Sequence, residues 1–507
     1  MYSILFKNEN LILNDKKPEF FTNLKLDQIA GAIYQSVEDK YLLPIFYTPL
    51  KNNEDIIYRQ DIFKDFSNKE FFTQFKFFIL HLLSTYKLYD ENKHKKDSWV
   101  FKSQRLKIMD DYRNTVLSLS KYLNESQIKS EGLNSLKDYL NEFTKSDSFV
   151  NFTESLDKIN NISKNIKFTL VIYETSLYVT KPIEEDKSFK DEINTTADLF
   201  TYSRDRRLAF SGDYTHTDNI DDAIFTRLKK LYDKEFKIFS DFFDHFKEFY
   251  SEDIYKIALD AKFYFTYKSF MNKISLNEEL VFSIPELSPS FIEESLDSFD
   301  LALAHKLNLV HEKIVTNSYK VSDGERIIVI TGPNQGGKTT FTRQLGQLHY
   351  LASLGVPVQG KYNKIHIVDN IYTFFKTEEN LDNLDGKLKT ELHATKNILK
   401  NATQNSLLLF NEIFASTTKI DGIEIANLVM DEITKLGSFC VFVTFLKELS
   451  ERKDVVLMTS NVLKENKEIR TFKITRSDDA DFSYPSSIQS KYNLTYDKIL
   501  KRLKNES

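Results

Sequence analysis

The chain has 507 residues, of which 41% are hydrophobic and 14% aromatic, and its net charge is −5 at pH 7. This apolar content excludes a wholly disordered chain. The charge argues against an indiscriminate nucleic-acid coat protein but leaves room for a local basic channel. The length suggests about three structural units of about 150 residues each.

The compartment is indicated by cysteine usage and by the lack of long apolar runs. The single cysteine, Cys440, excludes an intramolecular disulfide framework and indicates a reducing compartment. We interpret it as a small buried hydrophobe. No run of about 18 apolar residues occurs, so no membrane span is predicted. Residues 1–10 lack the basic-then-apolar order of a signal peptide. We therefore expect a cytoplasmic protein.

Glycine and proline are distributed unevenly along the chain, which divides it into two parts of different composition. Ten of the 13 glycines lie after residue 320, and residues 213–284 contain neither glycine nor proline. Long stretches without these residues favour long helices over a sandwich of short strands. The first 300 residues are therefore predicted to be mainly helical.

Several elements are predicted in the first 300 residues. Helices are expected from Tyr47 to about Ile162, and two strands at 167–174 and 176–180, where β-branched and aromatic residues dominate. A solvated loop is predicted at 184–192. Residues 221–273 are predicted to form one or two helices. An aromatic stripe on one helix face, which we interpret as a packing seam, comprises Tyr232, Phe236, Phe239, Phe243, Phe246 and Phe249.

Beyond residue 320 the pattern predicts a largely parallel α/β domain, because short apolar strands alternate with helical segments and glycine marks the turns. The predicted strands are Arg326–Thr331, Lys364–Val368, Ser406–Phe410, Phe439–Thr444 and Val455–Thr459. A final charged helix is predicted at 492–507.

A glycine-rich loop follows the first of these strands. Residues 332–339 satisfy the pattern of glycine, four residues, glycine, lysine and a hydroxyl residue. A simple glycine turn is the alternative, but the strand before the loop and the helix after it favour a phosphate-binding loop. Lys338 is expected to reach the β- and γ-phosphates and Thr339 to ligate Mg²⁺. The predicted nucleotide-binding residues here are Gly332, Pro333, Asn334, Gln335, Gly336, Gly337, Lys338, Thr339 and Thr340.

A second apolar strand ends in Asn411-Glu412. Glu412 is positioned to act as the general base that polarises an attacking water, and with Lys338 it is a predicted catalytic residue. Asn411 occupies the position where such sites normally carry aspartate. It accepts a hydrogen bond from a magnesium-bound water but brings no charge, so we expect Mg²⁺ to be held less firmly.

Residues 331–344 resemble the ATP-binding loop of the MutS DNA mismatch-repair family. The Pro333-Asn334 pair and the downstream Arg343-Gln344 pair distinguish that family from other P-loop proteins. Asn411-Glu412-Ile413 is similar to its Walker B segment. Residues 416–418 with Asp421-Gly422 are similar to its signature and D-loop segments.

The similarity extends more weakly over about residues 47–500. Residues 49–61 resemble the start of the family's core domain, Ile284-Pro285-Glu286 the end of its lever, and residues 483–495 the close of its ATPase domain.

The resemblance implies a multidomain fold with three parts. These are a leader at 1–47, a helical core and lever at 48–300 with a small β-rich, clamp-like insertion near 165–215, and an α/β P-loop ATPase domain of the ABC type at 301–507. It also implies ATP and Mg²⁺ as cofactors and a head-to-tail homodimer. In such a dimer Thr417, Thr418 and Asp421 of one subunit complete the nucleotide site of the other.

Three departures from the family pattern qualify this expectation. The leader is too short for the mismatch-reading and connector domains, and the chain ends too soon after the ATPase domain for an Smr tail. Phe152-Thr153-Glu154 has a pattern like the mismatch wedge, but it lies inside the core region and is interpreted as coincidence. Phe445 stands where the family usually has a histidine that senses the γ-phosphate. Together with Asn411, it leaves the extent of ATP turnover open.

Two functions are compatible with this sequence. The first is a MutS-like ATPase that binds DNA as a dimeric clamp, reading shape or backbone because a mismatch reader is not expected. The second is a nucleotide-gated scaffold with little hydrolysis and a protein partner in place of DNA. The candidate DNA-contacting cations form two clusters, and for each the alternative is a solvated charged face. The first cluster comprises Lys93, Lys95, Lys96, Lys102, Arg105 and Lys107, with Trp99 among them, and the second Arg204, Arg206 and Arg207.

Overall fold

The computed structural model describes residues 3–7, 12–35, 38–93, 95, 98–173, 176–182, 218–308, 312–375, 386–414, 416–463 and 470–477. Two compact units are present. The first contains the described parts of 70–128 and 134–259, and the second those of 3–69, 129–133 and 260–477. The leader thus belongs to the unit that carries the α/β part, while the domain boundaries after 47 and 300 stay predictions.

The described elements before residue 281 are mostly helices. In chain order they are α1 (Phe21–Leu24), α2 (Leu26–Ile33), a 3₁₀-helix (Glu38–Leu42), α3 (Leu43–Tyr47), α4 (Asn53–Asp65), α5 (Lys69–Lys93), α6 (Trp99–Glu125), α7 (Glu131–Lys145), α8 (Asp147–Asn165), β1 (Thr169–Tyr173), β2 (Ser176–Thr180), α9 (Asp218–Leu231), α10 (Asp233–His245) and α11 (Glu252–Ile274).

Strands and helices alternate in the rest of the described chain. They are β3 (Phe282–Ser283), β4 (Glu286–Ser288), β5 (Glu293–Ser298), α12 (Leu301–Asn308), β6 (Asn317–Val321), β7 (Ile327–Thr331), α13 (Lys338–Ser353), β8 (Val358–Gln359), β9 (Tyr362–His366), β10 (Ile371–Phe375), α14 (Lys387–Asn401), β11 (Leu407–Asn411), α15 (Lys419–Leu436), β12 (Phe439–Val443), α16 (Lys447–Ser450), β13 (Val455–Val462) and β14 (Arg470–Arg476).

The first unit is helical, with one hairpin in which β1 pairs antiparallel with β2. Serine caps set two of its helix starts, since Ser98 accepts from the Phe101 amide and Ser146 from the Phe149 amide. Aromatic rings form much of its interior. Phe152 is buried and stacks on Phe249 with ring centroids 5.8 Å apart, as expected for a core residue rather than an exposed wedge.

The stretch predicted as one or two helices forms three, namely α9, α10 and α11. The aromatic stripe is therefore interrupted. Phe236, Phe239 and Phe243 are buried on α10, whereas the helix ends at His245 and Phe246 is already its C-cap. Periodicity alone missed this end because no glycine or proline marks it.

The second unit contains a six-stranded sheet in the order β10-β11-β12-β7-β13-β14. Its first five strands are parallel and β14 is antiparallel to β13. Strands β7, β11 and β12 are buried along their whole length, as continuous apolar runs in a parallel sheet require. Cys440 is buried on β12, and burial raises the pKa of its thiol, which confirms its interpretation as a core residue.

A separate four-stranded sheet, in the order β4-β9-β5-β6, lies in the same unit. This corrects one prediction: the strand predicted at Lys364–Val368 is β9, which pairs with β4 and β5 and not with the parallel sheet. The outer parallel strand is instead β10, which the sequence did not reveal. Its last four residues are only half-buried, as expected for a strand at the edge of the sheet.

The leader packs within the second unit. The Gln347 side-chain amide donates to the Leu24 carbonyl over 2.9 Å, and the Tyr350 hydroxyl donates to the Phe46 carbonyl. Gly346 on α13 allows this approach, because a Cβ there would lie 2.7 Å from side-chain atoms of both Leu24 and Leu409. Among the described helices, none is long and apolar enough to cross a membrane.

Candidate functional site

The glycine-rich loop lies at the carboxyl edge of the parallel sheet. Residues 332–337 connect the buried strand β7 to α13. The neighbouring strands β11 and β12 end beside it and continue into Asn411-Glu412 and Thr444-Phe445. Because parallel strands end at one edge, residues more than 70 positions apart in the chain meet above it.

The loop requires its glycines for close packing at Gly336 and for backbone conformation at Gly332 and Gly337. A Cβ on Gly336 would lie 2.3 Å from Ser460 Oγ and 3.0 Å from the Pro333 carbonyl oxygen. Gly332 and Gly337 have φ angles of +120° and +93°, which side chains rarely tolerate. Ser460 on β13 donates to the Gly336 carbonyl over 2.6 Å and so fixes the loop against the sheet.

Lys338 begins α13 and is 4% exposed. Its ammonium donates to the carbonyl oxygens of Gly332 and Pro333 over 3.0 and 2.9 Å. The ring of Phe445 lies 4.3 Å from the ammonium nitrogen. Burial lowers the pKa of Lys338 to about 8, against an opposing effect of the Glu412 carboxylate. A buried cation thus faces the loop in this arrangement.

Thr339 and Asn411 are in direct contact, since the threonine hydroxyl donates to the Asn411 side-chain oxygen over 3.0 Å. Asn411 is buried at the end of β11, whereas Glu412 is half-buried and lines the cavity described next. The Glu412 amide donates to the Val443 carbonyl over 3.0 Å, which ties it to β12.

A cavity of about 440 Å³ opens beside the loop. One part is polar and is formed by loop residues 335–340 and Glu412. The rest of the lining includes five apolar residues, Leu303, Leu307, Ile314, Val315 and Phe472, with Glu312, Lys313 and Asn317 among them. Of the predicted loop residues, Gly332, Pro333 and Asn334 lie outside the lining. The first two instead accept hydrogen bonds from Lys338, and the Asn334 carbonyl accepts one from Arg470 over 3.3 Å.

Backbone strain concentrates around this cavity. Six described residues other than glycine have positive φ angles. Three of them, Gln335, Glu412 and Phe472, line the cavity, and Phe414 lies two residues from Glu412. Such conformations cost about 1–3 kcal/mol each and persist where the surroundings hold them, most often at functional sites.

The predicted signature residues do not line the cavity in this chain. Thr418 caps α15 by accepting from the Asp421 amide over 3.3 Å, and its hydroxyl donates to the Asp421 carboxylate over 2.7 Å. The Thr417 hydroxyl approaches the same carboxylate at 3.5 Å. Thr418 and Asp421 are exposed, so the segment presents its hydroxyls at the surface.

The Arg343-Gln344 pair holds α13 to its surroundings. Arg343 donates to the buried Asp300 over 2.8 Å, and Gln344 donates to the Ser298 hydroxyl. Asp300 in turn accepts from the Ala302 and Leu303 amides at the start of α12. The pair therefore positions the helix that supplies part of the apolar lining of the cavity.

Four of the five described members of the first basic cluster have a partner within their own unit. Lys93 pairs with Glu248 at 3.4 Å, and Arg105 donates to Asn92 over 3.0 Å. Lys95 lies over the ring of Phe101, and Lys102 over that of Trp99. Lys107 is exposed. Lys96 and the cluster at 204–207 lie outside the described residues, as do the predicted loop at 184–192 and the helix at 492–507.

Sequence reasoning missed the apolar lining from Leu303 to Val315 and, closer to the loop, Ser460, Arg470, Phe472 and Glu391. Ser460, Arg470 and Phe472 come from β13 and β14, and Glu391 lies on α14, where it accepts a hydrogen bond from the Phe414 amide over 2.8 Å. None belongs to a short motif. The one available signal is Ser460, a polar residue directly after an apolar strand run.

The fold and the site define an α/β protein in which a glycine-rich loop, a buried lysine and a carboxylate meet at one edge of a mainly parallel sheet. Comparison with known families places it more narrowly, because residues 328–503 match the model of MutS domain V. This match covers about a third of the chain, and over it the chain is similar to the MutS family.

The relatives are DNA mismatch-repair proteins. The chain is 27% identical over 339 residues to the MutS protein of Caldicellulosiruptor saccharolyticus, which covers 62% of this chain and 38% of that protein. It is 28% identical over 246 residues to the MutS protein of Lachnoclostridium phytofermentans, and the match covers 48% of this chain and 26% of that protein. It is 30% identical over 183 residues to the mismatch repair protein MSH4 of Arabidopsis thaliana, and the match covers 36% of this chain and 23% of that protein. The chain thus spans less than two fifths of the length of these relatives.

Proposed function

We propose that this chain is a MutS-like ATPase that binds ATP in the cavity beside the glycine-rich loop and binds DNA as a homodimeric clamp. The observation that carries the proposal is the packing of the loop around the buried Lys338, with the Thr339–Asn411 contact and Glu412 beside it. Binding of a nucleoside triphosphate needs these groups together. In the sequence, Lys338 and Thr339 lie more than 70 residues before Asn411 and Glu412.

The residues present fit a nucleotide. A volume of about 440 Å³ lies in the usual range of small-ligand sites. Only glycine fits at position 336, because a Cβ there would collide with Ser460. The missing side chain also lets the amide groups of the loop approach phosphate oxygens. The apolar lining formed by Leu303, Leu307 and Phe472 suits the base, and Lys338 suits the β- and γ-phosphates.

The residues also fit a magnesium site of low charge. Thr339 would ligate Mg²⁺ through its hydroxyl, and Asn411 would accept a hydrogen bond from a metal-bound water. When bound, the ion neutralises charge that develops on the phosphates. Asn411 adds no negative charge, so we expect weaker magnesium binding than an aspartate would give.

Glu412 is the proposed general base. It lines the same cavity as Lys338 and Thr339, so a water held beside the γ-phosphate lies within its reach. Phe445 cannot donate a hydrogen bond to that phosphate, and its ring occupies the space over the Lys338 ammonium. We therefore propose slow turnover, with ATP binding better developed than hydrolysis.

Dimerisation is supported by the signature segment. Thr417, Thr418 and Asp421 lie outside the cavity of their own chain, and two of the three are exposed. In a head-to-tail homodimer the hydroxyls of Thr417 and Thr418 would contact the γ-phosphate held by the other subunit, and Asp421 would lie at the subunit contact. ATP would then favour the closed dimer by its higher affinity for that state.

Lys338→Ala and Glu412→Gln test the nucleotide site. Lys338→Ala should abolish binding of labelled ATP, and unchanged binding would refute the site. Glu412→Gln should retain ATP but release phosphate far more slowly. Equal phosphate release from variant and parent would remove Glu412 from the mechanism.

DNA binding is tested by steady-state ATPase activity with and without DNA, and by filter binding to duplex, mismatched and branched DNA over a salt series. Neutralised phosphates make binding fall with salt, with a slope of about −0.9 for each phosphate contacted in duplex DNA. A slope near zero for every DNA would refute the clamp and favour the nucleotide-gated scaffold.

A further inference from the structure

The turn that follows β11 contains two strained residues. Glu412 and Phe414 have φ angles of +58° and +62°, although neither is glycine. Ile413 and Phe414 are buried, whereas Glu412 lines the cavity, so the turn runs from the cavity into the core. A turn of this kind relaxes unless neighbouring groups hold it.

Glu391 is the group that holds the far side of the turn. It lies on α14 and is 7% exposed. One of its carboxylate oxygens accepts hydrogen bonds from the Phe414 amide over 2.8 Å and from the Ser416 hydroxyl over 3.2 Å. The near side is held by β12, through the bond from the Glu412 amide to the Val443 carbonyl.

We propose that Glu391 is a positioning residue for the nucleotide site. It fixes the turn so that Glu412 faces the cavity, and it ties Ser416, the first residue of the signature segment, to the same oxygen. The inference rests on the proposed function, because it assumes that Glu412 acts on bound ATP. A buried carboxylate that accepts two bonds from one short segment is costly to keep unless that segment must be held.

The arrangement also ties two parts of the site to one atom. A shift of α14 would move the Glu412 turn and the Ser416 segment together, since both donate to one atom. Glu391 itself does not line the cavity. Its loss should therefore lower the rate of hydrolysis without a matching loss of ATP affinity.

The test compares Glu391→Leu with Glu391→Gln. Leucine removes the acceptor, whereas the glutamine side-chain oxygen retains it. We expect Glu391→Leu to lower kcat at least about tenfold, because small misplacements of catalytic groups are costly, with ATP affinity within about threefold of the parent. Glu391→Gln should restore kcat to within about threefold.

Thr395→Val is the matched control. Thr395 is buried one turn further along α14, and its hydroxyl donates to the Glu391 backbone carbonyl over 2.8 Å, away from the turn. It should leave kcat unchanged. If Glu391→Leu cannot be purified folded, Ser416→Ala removes one of the two donors from an exposed position and should lower kcat by a smaller factor. Unchanged kcat in Glu391→Leu overturns the inference, and so does unchanged kcat in Ser416→Ala if that variant replaces Glu391→Leu. A loss of kcat in Thr395→Val equal to that in Glu391→Leu also overturns it.

Amide exchange of residues 412–416 separates this inference from the proposed function. Without nucleotide, Phe414 should exchange at least about tenfold faster in Glu391→Leu than in the parent, and Glu391→Gln should restore protection. A parent that binds no ATP refutes the proposed function, and the exchange comparison then decides the role of Glu391. Equal exchange in parent and Glu391→Leu overturns that role whatever the ATPase result.

Discussion

Raising the pH above 8 should weaken ATP binding through the titration of Lys338. Burial lowers the pKa of this lysine from 10.5 to about 8. In the nucleotide-free protein its ammonium contacts two carbonyl oxygens and the ring of Phe445. A polyphosphate beside it favours the charged form, so binding above pH 8 requires uptake of a proton.

The size of the effect follows from that pKa. Below pH 7 the lysine is charged in both the free and the bound protein, and affinity should not depend on its titration. At pH 9.5, about 1.5 units above the pKa, affinity should be about 30-fold lower than at pH 7, or about 2 kcal/mol.

The pH dependence of folding stability has the opposite sign to that of ATP binding. Because the folded pKa lies below the unfolded value, the unfolded chain binds more protons between about pH 8 and 10.5. The contribution of Lys338 to the stability of the nucleotide-free protein should therefore rise with pH in this window.

The assay is titration with a fluorescent ATP analogue at constant magnesium and ionic strength from pH 7 to 9.5. Phosphate itself ionises near pH 6, so it contributes little in this window. Lys338→Arg is the control, because its guanidinium stays charged and its weaker binding should be flat with pH. Parent affinity that is also flat, or an equal fall in Lys338→Arg, would refute the reasoning.

Three further predictions concern the loop and the departures from the family pattern. Gly336→Ala should weaken ATP binding about tenfold or more, because its Cβ would lie 2.3 Å from Ser460 Oγ; adding Ser460→Ala should restore part of the affinity, and no rescue would contradict the clash. Asn411→Asp should lower the magnesium concentration for half-maximal ATP binding about tenfold by adding a charge, measured by magnesium titration at fixed nucleotide. Phe445→His should raise phosphate release about tenfold by adding a donor near the γ-phosphate, with ATP affinity changed much less; an unchanged rate would show that this position does not limit turnover.

Strand-level predictions succeeded where the sequence signal was local and strong. The buried runs that became β7, β11, β12 and β13 were predicted within a few residues, because a parallel strand buried on both faces is almost wholly apolar. The assignment of β9 to the same sheet was wrong. A short strand carries no information on its partner, and pairing depends on residues far away in the chain.

Helix ends were harder to predict than helix faces. The seam of Phe236, Phe239 and Phe243 on α10 was recognised from its spacing and is buried. Its end at His245 and the break before α11 were not. No glycine or proline marks the break, so periodicity continues in the sequence where the helix does not.

The sequence by itself determined the chemistry of the candidate site: a bare-backbone loop, a lysine, a hydroxyl residue and a carboxylate after an apolar strand. Glycine conformation and strand composition are local properties, so they can be recognised without the fold. Tertiary structure alone decided that Phe445 lies over Lys338, that Phe472 lines the cavity and that Glu391 accepts a hydrogen bond from the turn after Glu412. These contacts join residues 23 to 135 positions apart, and they form because the tertiary fold brings these distant segments to the carboxyl edge of the parallel sheet.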